Sequence, residues 1–192
     1  MSIGKHSVTT ETPKNILLGA GTYLKGLKYE GNKWTGTPLG ATNGGGKIAI
    51  KGELRDLEVD GVLVKTKGMT VKLGGTASAE VSYAELNKDI IKLGTHFAEG
   101  ESDATGFVML QDKATITEGD YLDDFGFVGY MADGVTQIIV IFESALCTSG
   151  LEVEAKNKEQ SVVKLTLEAV AENAGNLDTL PVKIYYPEPS AG

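Results

Sequence analysis

The chain has 192 residues, 26 acidic against 18 basic side chains, a net charge of -8 and a single cysteine. That length suits one domain able to bury about 70% of its extended surface, so neither disulfides nor a metal are needed for folding. The acidic surface disfavours a conventional nucleic-acid-binding role, and Cys147 alone excludes an internal disulfide framework and fits a reducing compartment.

Glycine, at 25 residues, occurs at about twice its usual share. Threonine, valine and isoleucine are also plentiful, which points to many strands joined by tight turns. There is no run of 18 apolar residues for a transmembrane helix. The first ten residues lack the apolar centre of a signal peptide, so a soluble protein made in a cytoplasm is expected.

Residues 1–14 are polar, aperiodic and end near Pro13, and are read as an arm that stays loose until something holds it. The glycine-broken apolar run Asn15 to Leu24 suits a buried strand. Leu27–Tyr29 and Lys33–Thr35 flank a turn at Glu30–Asn32, which would pair Tyr29 with Trp34 across a small hairpin. Gly40–Gly46 reads as a flexible connection, so 28–46 as a whole is expected to behave as a long loop region. Lys47–Lys51 is a strand with Ile48 and Ile50 on one face. Residues 53–68 scatter Leu54, Leu57, Val59, Val62, Leu63 and Val64 among charges, with a turn at Asp60–Gly61. That composition is unusual for a solvated loop and natural for one that packs on a neighbour. A hairpin is expected next, with Met69, Val71 and Leu73 before a Gly74–Gly75 turn and Ala77, Ala79 and Val81 after it.

Ser82 and Glu85 have capping-box spacing, and Tyr83, Leu86, Ile90 and Leu93 form a helical stripe. These predict a helix over about 82–93 that ends at Gly94. Gly106–Gln111 reads as a strand. Phe125–Met131 and Val135–Glu143 read as a pair joined at Ala132–Gly134. Leu151, Val153 and Ala155, then Val163, Leu165, Leu167 and Ala169, alternate with polar residues as in a two-faced antiparallel hairpin. Lys183–Tyr186, between Pro181 and Pro187, is a final edge strand or tail. The fold class expected is mainly β, an antiparallel β-sandwich or open barrel with one flanking α-helix. Residues 15–187 form the domain, and 188–192 form a C-terminal tail.

Catalytic chemistry is hard to find in this sequence. His6 lies in the arm and His96 past the helix, too isolated for a metal site. No base is evident for Cys147. Gly40–Lys47 superficially matches a phosphate loop, but Ala41 and Ile48 stand where glycine and Ser or Thr are needed and a strand follows. Gly19 and Gly21 lack the third glycine of a dinucleotide fingerprint. The acidic group Glu118, Asp120, Asp123 and Asp124 could bind calcium or do acid–base work, but its spacing fits no EF-hand and suits a solvated turn better. No enzyme activity, cofactor or metal is expected.

The chain resembles the major tail (tail tube) proteins of siphophages that infect Gram-positive bacteria. The resemblance is carried by Pro13–Thr22, by Leu57–Lys65 through Gly74–Gly75, by Glu143–Glu154, by Lys156–Glu159 and by Leu177–Tyr186. It spans about residues 13–187 as a whole-chain texture rather than a motif. It implies a β-sandwich with a flanking helix that closes into hexameric rings. In that family neighbouring inner sheets join into a continuous β-barrel, and rings stack along a tape-measure protein. DNA passes through the lumen without specific binding, in a virion tail assembled in the host bacterial cytoplasm. On this reading 53–68 is the ring-stacking loop, while 1–14 and 28–46 add inter-ring contacts. Glu152, Glu154 and Glu168 are candidate lumen-facing residues whose charge would repel DNA phosphates. Lys156 and Lys164 temper that wall, so which strands line the channel stays open. Two other readings stand beside this one. One is another phage structural β-sandwich, such as a capsid decoration or tail-terminator protein. The other is a ligand-binding β-sandwich, for instance a carbohydrate-binding module, which needs a row of exposed aromatics; Trp34, Tyr29, Tyr185 and Tyr186 do not cluster in sequence.

Overall fold

A computed structural model describes residues 7–172 and 177–188. The chain is mainly β: an antiparallel sheet with one flanking α-helix, sandwich-like in arrangement. Among the described residues ten strands are formed. They are β1 (Leu17–Glu30), β2 (Lys33–Pro38), β3 (Thr42–Asp56), β4 (Thr70–Tyr83), β5 (Ala98–Gly100), β6 (Met109–Gln111), β7 (Leu122–Met131), β8 (Gln137–Cys147), β9 (Val163–Ala169) and β10 (Val182–Tyr185). The helix α1 spans Lys88–Thr95. The main sheet runs β2-β1-β7-β8-β9-β4-β3, with β10 also paired to β8, while β5 and β6 form a separate ribbon.

The sheet curls around one apolar core. Tyr23 of β1, Ala79, Val81 and Tyr83 of β4, Phe125 of β7, Phe142 of β8 and Leu165 and Leu167 of β9 are buried together, with Ile90 and Leu93 of α1 packed among them. Their alternation in each strand is the period of two that puts every second side chain on the same face. The curl brings β3 back onto β1 although they lie far apart in strand order. A Cβ on Gly46 would stand 2.2 Å from Tyr23 Oη, so only glycine lets the two strands approach there. Burial pushes the Tyr23 phenol up to about 12 and the Tyr83 phenol up as well.

A second, smaller core lies on the opposite face of the same sheet. Leu27, Ile139 and Ile141 are buried there under Leu24, Trp34 and Val128. Trp34 closes it, with Tyr29 at 5.1 Å and Tyr185 at 4.8 Å between ring centroids. The predicted Tyr29–Trp34 cross-strand pair is thus formed. Cores on both faces of β8 account for its long apolar run.

Several expectations need correction. Residues 28–46 are mostly strand, covering the end of β1, β2 and the start of β3. Gly44 and Gly45 there have positive φ at an irregularity between Thr42 and Gly46, and form a kinked strand rather than a connection. Gly74–Gly75 is not a turn. β4 runs straight through it because Gly75 is needed for close approach, a Cβ there standing 2.6 Å from the Lys51 carbonyl oxygen. The helix begins six residues later than read. Ser82 and Tyr83 finish β4, since Tyr83 continues the buried alternation of Ala77, Ala79 and Val81. The actual cap is Asn87, whose Oδ1 accepts the Ile90 N–H at 2.9 Å and whose Nδ2 donates to the Leu39 carbonyl at 3.1 Å. Gly94 is inside the helix, and His96, in the left-handed region at φ 58, closes it through its N–H to the Lys92 carbonyl.

Residues 151–156 form no strand, and β9 pairs instead with β4 and β8. The strand read over 106–111 shrinks to β6. The β7–β8 hairpin and β10 are where they were expected. Of the N-terminal arm, residues 1–6 lie outside the described residues, and Thr12–Asn15 make a short 3-10 turn. Of the C-terminal tail, 189–192 lie outside them too.

Candidate assembly surface

β4 is hydrogen-bonded on both sides only from Ser78 to Tyr83, where β3 and β9 flank it. From Thr70 to Ala77 β3 is its one strand partner among the described residues, and the distal halves of β3 and β4 form a two-stranded arm. The change comes beside a group of glycines. Gly52 faces Gly75, Glu53 faces Gly74, and a register shift follows between Glu53 and Leu54. At the far end of the ladder the Thr70 hydroxyl donates to Asp56 at 2.5 Å and Lys65 pairs with Asp56 at 2.9 Å. These two partners hold the Asp56 carboxyl below the usual range.

The loop at the tip, 57–69, carries its own internal hydrogen bonds. Leu57 N–H donates to the Met69 carbonyl at 2.7 Å, and Val62 N–H to the Val59 carbonyl at 3.1 Å around the predicted Asp60–Gly61 turn. Its apolar side chains nevertheless face outward. Leu63 is 96% exposed, Val64 76% and Leu54 66%, with Leu57, Val59 and Val62 each about half exposed. All six candidate stacking residues therefore sit on one projecting element, five of them in the loop and Leu54 in β3. Ile50 and Leu73 on the arm are also exposed and were not singled out from sequence. Leu73 is the extra residue at the register shift, between Gly74 opposite Glu53 and Lys72 opposite Leu54.

The lumen candidates do not come together as read. Glu168 lies on the solvent face of β9, accepting from the Thr148 hydroxyl at 3.2 Å, whereas Glu152 and Glu154 are on the irregular segment after β8. Across β3, β4 and β9, the outward face that holds Glu168 carries Lys47, Lys51 and Lys164 against Glu53, Glu80 and Glu168. That face is balanced in charge rather than acidic. Lys47 pairs with Glu80 at 2.8 Å, which draws the Glu80 carboxyl down.

The residues weighed for chemistry are engaged structurally. The acidic group is dispersed: Asp120 accepts from Lys113 at 2.5 Å and from the Thr117 N–H at 2.6 Å, and Asp124 pairs with Lys28 at 3.2 Å. His96 Nε2 donates to the Cys147 carbonyl at 2.9 Å, so its ring bonds the main chain of Cys147, and that side chain is buried. Gly40–Lys47 leads into β3 instead of a helix. Among the described residues no group of three or more His, Cys, Asp or Glu is placed to hold a metal ion, and no helix is long and apolar enough to cross a membrane.

Tyr29, Trp34 and Tyr185, scattered in sequence, do cluster in space. Their rings are tilted by 55° and 64° to one another. A herringbone of that kind closes the smaller core. No protein-family model matches the chain, and no curated protein matches it in a sequence search.

Proposed function

We propose that this chain is a structural, non-enzymatic subunit of a bacteriophage tail tube, assembling into stacked hexameric rings. The observation that carries the reading is the β3–β4 arm, a hairpin with no third strand among the described residues, whose tip exposes apolar side chains. Exposed apolar surface on a projecting element marks a contact site, and free strand edges are an aggregation hazard that closed assembly removes. The sheet ends at β2 on one side and β3 on the other, so edge-to-edge joining of neighbours could continue it around a ring. In such a tube the arm bridges successive rings, the tape-measure protein fills the lumen during assembly, and DNA crosses it without specific binding. A net charge of -8 suits a channel that must not retain phosphates.

The test is electron microscopy of the concentrated protein beside a variant in which residues 57–68 are replaced by a two-residue turn. Tubes or stacked rings from the parent, and a folded, non-polymerising variant, are the expected pair. Normal tubes from the variant would reject the stacking role of the arm, and a parent that never assembles with its tail partners present would reject the tube.

A further inference from the structure

We propose that Asn43 is a site of spontaneous deamidation in the folded protein, converted with loss of ammonia to aspartyl and isoaspartyl products. Three asparagine–glycine or aspartate–glycine pairs occur in the chain: Asn43–Gly44, Asp60–Gly61 and Asp133–Gly134. The following glycine matters because it has no Cβ to keep its nitrogen from reaching the preceding side chain, and its backbone adopts the conformations that ring closure needs. The other described asparagines, Asn15, Asn32, Asn87 and Asn157, precede isoleucine or lysine.

The fold treats the three pairs differently. The Asp133 carboxylate is pinned, accepting from the Val135 and Thr136 N–H groups at 3.0 and 2.9 Å and from the Thr136 hydroxyl at 2.5 Å. Asp60 is exposed at the arm tip, but an ionised carboxylate is a poor electrophile. Asn43 carries a neutral amide, is exposed, and its side chain makes no hydrogen bond among the described residues. Its backbone is released as well. β3 and β4 pair at Thr42 and next at Gly46, so Asn43, Gly44 and Gly45 lie in the irregularity between, with the two glycines at φ 84 and 72. A Cβ built on Gly44 would meet nothing within 4 Å, so the space beside the reacting peptide is open.

In the reaction the main-chain nitrogen of Gly44 attacks Asn43 Cγ. A carbon–nitrogen bond forms, the bond from Cγ to the amide nitrogen breaks, and the Gly44 proton leaves with that nitrogen as ammonia. Water then opens the resulting succinimide at either carbonyl. Opening at the side-chain carbonyl gives aspartate, and opening at the main-chain carbonyl gives isoaspartate, whose main chain runs through the former side chain. The sum is hydrolysis of an amide to a carboxylate and ammonia, with no oxidant or reductant. Either product adds a negative charge. Isoaspartate also lengthens β3 by a carbon just ahead of Gly46, where β3 meets Tyr23 of β1.

The test is incubation of the full chain at mildly alkaline pH, folded and unfolded in guanidinium chloride, followed by peptide mapping. Trypsin releases the peptide Trp34–Lys47, in which Asn43 is the only asparagine and no glutamine or aspartate occurs, so a change in mass from amide to acid belongs to Asn43. Two products of equal mass are expected, of which the isoaspartyl form accepts a methyl group from isoaspartyl methyltransferase. The folded rate should lie within about tenfold of the unfolded rate, the span of a local rearrangement costing about 1.4 kcal/mol. Asn43→Gln, which must close a larger ring, should leave the peptide unmodified over the same period. A folded rate suppressed by more than that span, or a Trp34–Lys47 peptide modified no faster than those holding Asn32 and Asn87, would overturn the assignment.

Discussion

Replacing Leu63 and Val64 together by serine separates folding from assembly. Both side chains are solvent-exposed in the single chain, at 96% and 76%, so serine there removes almost no buried contact. Exposed substitutions of this kind change stability by about 0.5 kcal/mol or less, which for a domain of this size is about 2 °C in Tm. The effect on assembly is larger. Burying a Leu or Val side chain contributes about 1.5–3 kcal/mol, and scaling by the exposure available gives about 2.5–5 kcal/mol for the pair. At 1.4 kcal/mol per tenfold, the association constant falls by roughly 60- to 4,000-fold. Differential scanning fluorimetry reads the first quantity, and sedimentation across a concentration series reads the second. A Tm drop of about 6 °C or more would mean that the tip packs on its own body, and an unchanged critical concentration would mean that it packs on nothing.

Other perturbations probe the fold itself. Gly46→Ala pushes a methyl group against Tyr23 Oη and the Glu80 carbonyl oxygen, 2.2 and 2.7 Å from the new carbon; a loss of about 1–3 kcal/mol is expected in urea denaturation, and an unshifted midpoint would show that β1 and β3 do not meet. Phe142→Ala empties the centre of the main core, where the ring is 1% exposed, and should cost about 3–5 kcal/mol in the same assay. For Asp120, burial pushes the carboxyl up, but Lys113 and the Thr117 N–H and hydroxyl together outweigh it and hold it below its ordinary value of 3.8. Its stabilising contribution is therefore present above pH 3.8 and lost as pH falls through the folded value. The stability gap between the parent and Asp120→Asn should narrow on acidification below 3.8, and a gap that widens there would contradict the assignment. Cys147, 2% exposed, should react with a thiol reagent only as fast as the chain unfolds; prompt labelling would show that β8 and β9 open locally.

Much of this architecture is legible in the sequence where local chemistry and tertiary packing agree. The β7–β8 hairpin is such a case, with apolar runs flanking the Asp133–Gly134 turn, and Tyr29 opposite Trp34 is another. The failures share a cause, namely that a local pattern was outvoted by neighbours distant in sequence. Ser82 and Glu85 satisfy a capping pattern, but Tyr83 contributes more buried as the last rung of β4 than as the first turn of a helix. Gly74–Gly75 has turn composition, yet Gly75 serves close packing against Lys51 and Leu180. Residues 151–156 alternate as strands do, but β4 and β8 already flank β9. For the candidate surface, the odd composition of 57–64 marked the tip without any structure. Its exposure, and the gathering of Tyr185 with Trp34, depend on which strands lack partners, and no local pattern carries that.

The one-sided ladder of the arm also divides the molecule by how firmly its amides are held. Between Ser78 and Tyr83, β4 opens only if two neighbouring strands part, so its protons should exchange with solvent no faster than the whole domain unfolds. From Thr70 to Ala77 a single neighbour must part, and the arm can fray without disturbing the core. One strand thus carries a permanent half and a provisional half, and the provisional half can gain lasting protection from another copy.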